Sequence, residues 1–342
     1  MLTGKDVAVN AVRMPGEYEA HERTLMCWPA RADLWGAHLR QAELDYAEIA
    51  QQIARFEPVT MIAAPAAAET AADLCGSNVE VVEIPIDDSW ARDTGPDFVV
   101  DESGVPEIVD FTFNAWGEKF APYADDARLA ERWAQRTGRR RRAVPMVLEG
   151  GSIATDGERT LVTTEECLLH MNRNPDMTRA QIEATLADAL GVEAIVWLPF
   201  GLALDADTDG HVDNVAAFIE PGRLLVQGCD NPAEDDHRRT AINRRCAEGA
   251  IDACGRELEV VVVPVLPYAE VDGRRLMVPY LNLYVLNGAV IVPTSGHPAD
   301  DEMLGLIGSC YPGREVVPVP ATMLAFGGGG PHCITQQVPA RA

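Results

Sequence analysis

Short β-type runs alternate with amphipathic helical stretches along the chain, and this alternation restricts it to a mixed α/β architecture. Helical spacing predicts helices over 42–56, 66–74, 125–137, 178–190, 233–254 and 299–309; in the first, Leu44, Ile49 and Ile53 are among the apolar positions. β-type runs predict strands over 59–63, 79–84, 97–100, 107–111, 160–163, 194–197, 259–263, 281–286, 289–292 and 315–319. A hairpin is expected around Glu220-Pro-Gly222, pairing 214–219 with 223–226. Several portions run strand-strand-helix-strand. No Pro- or Ser-rich stretch reads as a flexible linker, so one domain over 1–342 is expected.

Composition narrows the class. Nearly half of the 342 residues are apolar, which fits a globular chain with a large core. No apolar run reaches the roughly eighteen residues of a membrane-spanning helix. The opening Met1-Leu-Thr-Gly-Lys-Asp-Val7 lacks the basic and apolar regions of a signal peptide. The eight cysteines form no Cys-x-x-Cys pair and read as reduced thiols, so a cytoplasmic location is expected. A formal charge of −25 argues against nucleic acid and anionic membrane partners and suits a small cationic substrate. The basic run Arg139-Arg140-Arg141-Arg142 is expected to be a solvated turn.

Reactive side chains gather in four loops. Toward its end the chain carries Phe326-Gly-Gly-Gly-Gly-Pro-His-Cys333, then Ile334 and a polar Thr-Gln-Gln. Ordering four glycines is entropically costly, and such a run suits close approach of backbone to a ligand. A cysteine beside it is a candidate nucleophile. Asp87, Asp88, Trp90, Arg92 and Asp93 precede the turn Gly95-Pro96, which puts them in one loop instead of on a helix face. Glu149 stands before paired glycines in Leu148-Glu-Gly-Gly-Ser152. The fourth loop, Asp205-Ala-Asp-Thr-Asp-Gly-His-Val-Asp213, starts like a calcium loop but has Ala216 where a bidentate Glu is required. No second His lies at metal-ligand spacing from His211 either, so no metal is expected.

One thiol, one imidazole and several carboxylates suit a resonance-stabilised cation. A guanidinium is planar and forks its N–H donors toward carboxylates. Two aspartates gripping it would leave its carbon open to a thiolate. The same acids raise the cysteine pKa unless His211 or the bound cation offsets them.

Eight motifs in order carry a resemblance to a known family. They are Met14-Pro-Gly-Glu-Tyr-Glu19, Trp90-Ala-Arg-Asp-Thr-Gly-Pro96, Phe113-Asn-Ala-Trp-Gly117, Leu148-Glu-Gly-Gly-Ser152, Thr163-Thr-Glu-Glu-Cys-Leu-Leu169, Asn172-Arg-Asn-Pro175, Gly210-His-Val-Asp-Asn214 and His332-Cys-Ile-Thr-Gln-Gln337. With them the chain resembles the agmatine deiminases, a family that also holds the Porphyromonas-type peptidylarginine deiminases. The resemblance implies a five-bladed α/β propeller of pseudo-repeated ββαβ units around a central site. It implies Cys333 as nucleophile, His211 as acid and then base, Asp93 and Asp213 as guanidinium clamps, and Glu149 orienting His211. It also implies a covalent amidino-thioether, hydrolysis to a ureido product, no cofactor, and homo-oligomeric association. His332, next to the nucleophile on what is read as an extended segment, should point the other way and serve structure.

The expected substrate is agmatine, whose distal amine calls for acids and an aromatic wall. Asp87, Asp88, Trp90 and Trp116 are the residues expected to meet it, with Gly329 beside the nucleophile. Asp209, where the family commonly has Asn, adds an acid to the expected site. The alternatives are deimination of arginine, peptidylarginine or a guanidino acid, an amidinotransferase using the same thiol, and a guanidine- or polyamine-binding protein. A papain-like hydrolase is disfavoured, because its cysteine lies near the start of the domain.

Overall fold

The strand Val59–Ala63 is buried at all five positions, as an interior parallel strand covered on both faces must be. Beside it runs the helix Leu39–Ile53, which turns Ala42, Tyr46, Ile49 and Ile53 inward at helical spacing. Truncating Ile49 to Ala there would cost about 3 kcal/mol through lost burial and the cavity left behind. The computed structural model describes residues 12–341. The Met1–Val7 segment weighed for an export signal lies outside them.

Four sheets share one wiring. In each, two antiparallel strands are followed by a helix and a third strand parallel to the second. The first joins Asp97–Val100, Pro106–Thr112 and Arg141–Val147, and the second joins Ile153–Thr155, Thr160–Thr164 and Ala194–Leu198. The third joins Ala216–Glu220, Arg223–Gln227 and Glu259–Val263, and the fourth joins Tyr284–Leu286, Ala289–Thr294 and Glu315–Pro320. A further sheet uses both ends of the chain: Thr335–Pro339 pairs antiparallel with His21–Cys27, which is parallel to Val59–Ala63, and Val79–Glu83 extends it. The hairpin Tyr268–Val271/Arg274–Met277 stands apart. The alternation in sequence is therefore a mixed α/β fold. Among the described residues, no helix is long and apolar enough to cross a membrane.

Short apolar runs agree closely in position: Asp97–Val100 and Glu259–Val263 match their expected bounds. The 178–190 helix starts at a Thr178/Gln181 capping box and stops at left-handed Gly191. Three expectations need correction. The strand expected over 281–286 begins only at Tyr284, so Leu281, Asn282 and Leu283 lie in the loop before it. The helix expected to reach 254 ends at Glu248, where Gly249 breaks it. The basic run is not simply a turn, because Arg141 and Arg142 open the strand Arg141–Val147. Its arginines pair one by one with Glu22, Glu107, Asp110 and Asp188. Pro145 and the charged start hid that strand, which lies at the edge of its sheet where a missing N–H is tolerated.

The wiring also positions the chemistry. Just before the first strand of each of these five sheets stands a polar loop, carrying in turn Asp93, Glu149, Asp213, Asn282 and Cys333.

Candidate active site

Cys333 occupies a turn over 331–334 that leads into Thr335–Pro339. Gly329 packs against it so tightly that a Cβ there would meet Trp90 at 2.5 Å and Cys333 Cβ at 2.9 Å. That close approach accounts for glycine in the run before the thiol. Asn282 Nδ2 donates to the sulfur at 3.0 Å, and Asp213 Oδ2 lies 3.4 Å from it. Burial, then Asp213 and Asp93, push the thiol pKa well above its ordinary value. With no cation bound, the thiol is held protonated.

Asp93 lies in a single helical turn, Ala91–Thr94, and not in an irregular loop as Gly95-Pro96 suggested. The turn fits because Pro96 begins only after the last helical residue. Asp93 Oδ2 accepts from Trp116 Nε1 at 2.9 Å, and its Oδ1 accepts from the Gly151 backbone N–H at 2.9 Å. A side chain at position 151 would come within 2.5 Å of His211 Nδ1 and 2.8 Å of Asp93 Oδ1. Glycine is therefore what lets the Glu149, His211 and Asp93 loops converge. Trp116 reaches in from a strained turn, with positive φ at Ala115, Trp116 and Glu118, held by Asn114 Oδ1 accepting from Gly117 N–H.

His211 is buried with Nδ1 3.8 Å from Asp93 Oδ1 and Nε2 3.7 Å from Glu149 Oε2. Burial opposes its charge, but Asp93, Cys167 and Glu149 outweigh it and raise its pKa well above the ordinary value. Arg173 Nε donates to Glu149 Oε1 at 2.7 Å, and Arg173 and His211 hold Glu149 below its ordinary pKa despite burial. Four buried polar atoms at this centre lack a hydrogen-bond partner: both His211 ring nitrogens, Glu149 Oε2 and Asp213 Oδ1. Buried polar groups are rarely left so, and their clustering marks where a ligand's polar atoms belong.

Glu149, Cys167 and His211 also offer three donor atoms within 4.8 Å of one another. The Arg173 guanidinium on Glu149 repels a divalent ion, so this donor set suits proton transfer better than metal ligation.

Cys333 lines a cleft enclosing about 360 Å³ of empty space, part of it open to solvent. Trp90, Trp116, Phe120 and Leu34 form its apolar walls, and Asp88, Asp93 and Asp207 supply its carboxylates. No Lys or Arg is among the described residues that line it. Not every acid expected at the substrate lines this cleft: Glu149 and Asp213 are not among its lining residues, and Asp213 lines a separate cavity. Asp87 turns away and accepts from the Asp125 backbone N–H at 2.8 Å. Asp88 lines the cleft but is paired with buried Arg31 at 2.6 Å. Asp209 is paired with Lys119 at 2.7 Å and with Arg173 at 2.8 Å.

His332 differs from its expected placement. Its segment is a turn and not extended, so side-chain alternation does not apply, and His332 Nδ1 reaches Asp213 Oδ2 at 3.0 Å. Three other participants were not singled out from sequence. Asn282 lies in no recognised motif, although its place before a first strand repeats that of Asp93 and Asp213. Asp207 was passed over inside the calcium-like run. Arg173 was quoted in a motif without a role, and only the fold brings it to Glu149.

The family of Porphyromonas-type peptidyl-arginine deiminases matches residues 13–339. An agmatine deiminase of Pseudomonas aeruginosa (strain LESB58) is 43% identical over 96% of this chain and 95% of the relative. One from Stutzerimonas stutzeri (strain A1501) is 41% identical over 96% and 95%. The solved agmatine deiminase of Enterococcus faecalis superposes with a TM-score of 0.94 at 30% identity, covering 99% of this chain and all of that one. A C. jejuni agmatine deiminase, solved as a cysteine-to-serine variant with substrate bound, gives 0.88 at 26% identity over 96% and 97%.

Proposed function

The chain belongs to the Porphyromonas-type peptidyl-arginine deiminase family, and on that premise we propose that it hydrolyses agmatine to N-carbamoylputrescine and ammonia through an amidino-thioether on Cys333. The observation that carries this reading is the set of unpartnered buried atoms on Asp213, Glu149 and His211, with Asp213 in contact with the Cys333 thiol. A guanidinium supplies N–H donors in one plane to Asp213 and Glu149, with Asp93 gripping its other edge. The bound cation offsets the acids that keep Cys333 protonated, so binding favours the thiolate, to which Asn282 donates.

The thiolate attacks the guanidinium carbon to form a tetrahedral adduct. His211, held as the imidazolium, gives its proton to the departing nitrogen, and ammonia leaves. The neutral imidazole then takes a proton from water, which attacks the amidino carbon. Expulsion of the thiolate, with the hydroxyl proton passing to solvent, yields the ureido product. Proton transfer at His211 is thus balanced over the cycle.

The cleft favours agmatine over arginine. Its aromatic and aliphatic walls suit a methylene chain, and exposed Asp207 offers a carboxylate to a distal ammonium. Arginine would add a carboxylate facing acids, with no cation in the lining to meet it. The same reading arranges the repeated sheets as five ββαβ blades closed around the site, in one domain, with the terminal strand completing the first blade. It takes the enzyme to be cytoplasmic, which its eight free thiols suit, and homo-oligomeric.

The test is intact-mass analysis of enzyme acid-quenched during agmatine turnover. An adduct of agmatine less ammonia, mapped to Cys333, is the expected result. Product formation with an unmodified Cys333 throughout would overturn the covalent course.

A further inference from the structure

His332 sits between two carboxylates. Its Nδ1 lies 3.0 Å from Asp213 Oδ2 and its Nε2 lies 2.9 Å from Glu17 Oε2. A neutral imidazole has one N–H, so one of these contacts would set a lone pair against a carboxylate oxygen. Only the imidazolium donates to both. Glu17 is itself fixed as an anion. Its Oε2 also accepts from Arg92 at 2.9 Å and its Oε1 from the Val285 backbone N–H at 2.8 Å. Burial works against that charge, yet His332 and Arg92 hold its carboxyl at about 2. The charged groups facing His332 are thus Glu17, Asp213 and Arg92. Burial and Arg92 disfavour its protonation, and the two carboxylates more than offset them.

The position of this group matters as much as its charge. Glu17, Arg92, Asp213 and His332 line a second cavity, of about 560 Å³ empty space, that shares no lining residue with the Cys333 cleft. Asp213 lines this second cavity and touches Cys333, which lines the first. Its Oδ2 takes bonds from His332 and from the thiol, which leaves Oδ1 without a partner.

We propose that His332, carried as the imidazolium between Glu17 and Asp213, is a positioning residue for the nucleophile. It pins Asp213 by Oδ2 so that Oδ1 is presented to the substrate. Its charge also offsets the carboxylate nearest the sulfur, so that Cys333 ionises at lower pH than it would beside bare Asp213. The role of Oδ1 rests on the deiminase reading; the effect on the thiol does not.

The experiment is the pH dependence of Cys333 alkylation by iodoacetamide in the full chain without substrate, read by peptide mass. It compares wild type, His332→Gln and Glu17→Gln, with thermal melts confirming the fold. The midpoint for Cys333 should rise by about one pH unit in His332→Gln, because a neighbouring cation has been removed. Glu17→Gln should move it the same way by less, since the imidazolium loses one of the two carboxylates that hold its proton. The acidic limb of agmatine turnover should shift upward in parallel. If His332→Gln does not fold, Glu17→Gln carries the test. A wild-type midpoint and an unshifted turnover profile in a folded variant, whatever its rate, would reduce His332 to packing and overturn the proposal. A wild type that turns over no guanidine would sink the deiminase reading, while the alkylation midpoints would still decide the charge on His332.

Discussion

Two loops of similar composition use their acids in opposite ways within a few residues. In 87–93, Asp87 and Asp88 are bound to the Asp125 backbone and to Arg31, while Asp93 faces the centre. In 205–213, Asp205 accepts from the His211 backbone N–H and from Asn214 Nδ2, and Asp209 is paired with Arg173 and Lys119. Asp213 alone keeps a buried oxygen with no partner. The outer acids build the loops; of the inner ones, Asp93 accepts from Trp116 and the Gly151 N–H, and Asp213 keeps one oxygen free. Acidity by itself therefore does not mark the site; the clustering of unpartnered atoms on Asp213, Glu149 and His211 does.

The sharpest break in that division is at the nucleophile. Cys333→Ala should lower agmatine turnover by about 10⁴-fold or more while leaving the melting temperature near wild type, as steady-state kinetics and calorimetry would report. Next comes Asp93→Asn, expected to reduce kcat/KM by roughly 10²- to 10³-fold. Its melting temperature should hold or rise, because burial, Asp213 and Glu149 disfavour the Asp93 charge, against His211 and the bonds from Trp116 and the Gly151 N–H that favour it. A clear drop in melting temperature would place Asp93 among the structural acids. The outer acids predict the converse. Arg31→Met leaves Asp88 buried without its cation and strips the donors to Ala121 and Pro122, at a cost of about 3 kcal/mol in urea unfolding.

A smaller effect separates the loops by pH. Asp126 Oδ1 accepts from the Asp87 and Asp88 backbone N–H groups, and burial lifts its carboxyl to about 8. An acid raised in the folded state binds its proton more tightly there than when unfolded. Its contribution is fully present below the ordinary carboxylate range and is lost as pH rises to about 8. Asp126→Asn mimics the protonated acid and should flatten this part of the stability–pH curve; an unchanged slope would contradict the assignment. His211 has the same sign, since its pKa is also raised: turnover should decline as pH climbs through its folded value and the proton donor is lost. Smallest is Asp209→Asn, expected within a few-fold of wild-type kcat/KM because Asp209 serves Arg173 and Lys119 and not the cleft. A change of a hundredfold would return it to the substrate.

How much of this was legible in the sequence follows from how far each constraint reaches along the chain. Cys333, His211, Asp93, Glu149 and Asp213 each stand in a short motif with glycine or an acid beside them, and the fold brings them to one centre. Sequence could not say which neighbours were already engaged: Arg173 meets Glu149 across 24 positions, and Arg31 meets Asp88 across 57. Asn282 falls inside the strand expected over 281–286, and only the observed start at Tyr284 and the repetition of polar loops before these strands reveal it. The runs Asp97–Val100 and Glu259–Val263 were placed to the residue, whereas the alternating 281–286 begins only at Tyr284. Strands carrying Pro145 or ending at Pro339 were not placed so, because edge pairing supplies what their local pattern lacks.

The most direct test of the central claim is ammonia release, with product mass, from agmatine, arginine, guanidinobutyrate and an arginyl peptide, using wild type and Cys333→Ala. The account predicts one ammonia and one N-carbamoylputrescine per agmatine, weak or no release from the carboxylate-bearing guanidines, and none from the alanine variant. Release from arginine or the peptide in preference to agmatine, or undiminished turnover without the thiol, would contradict it.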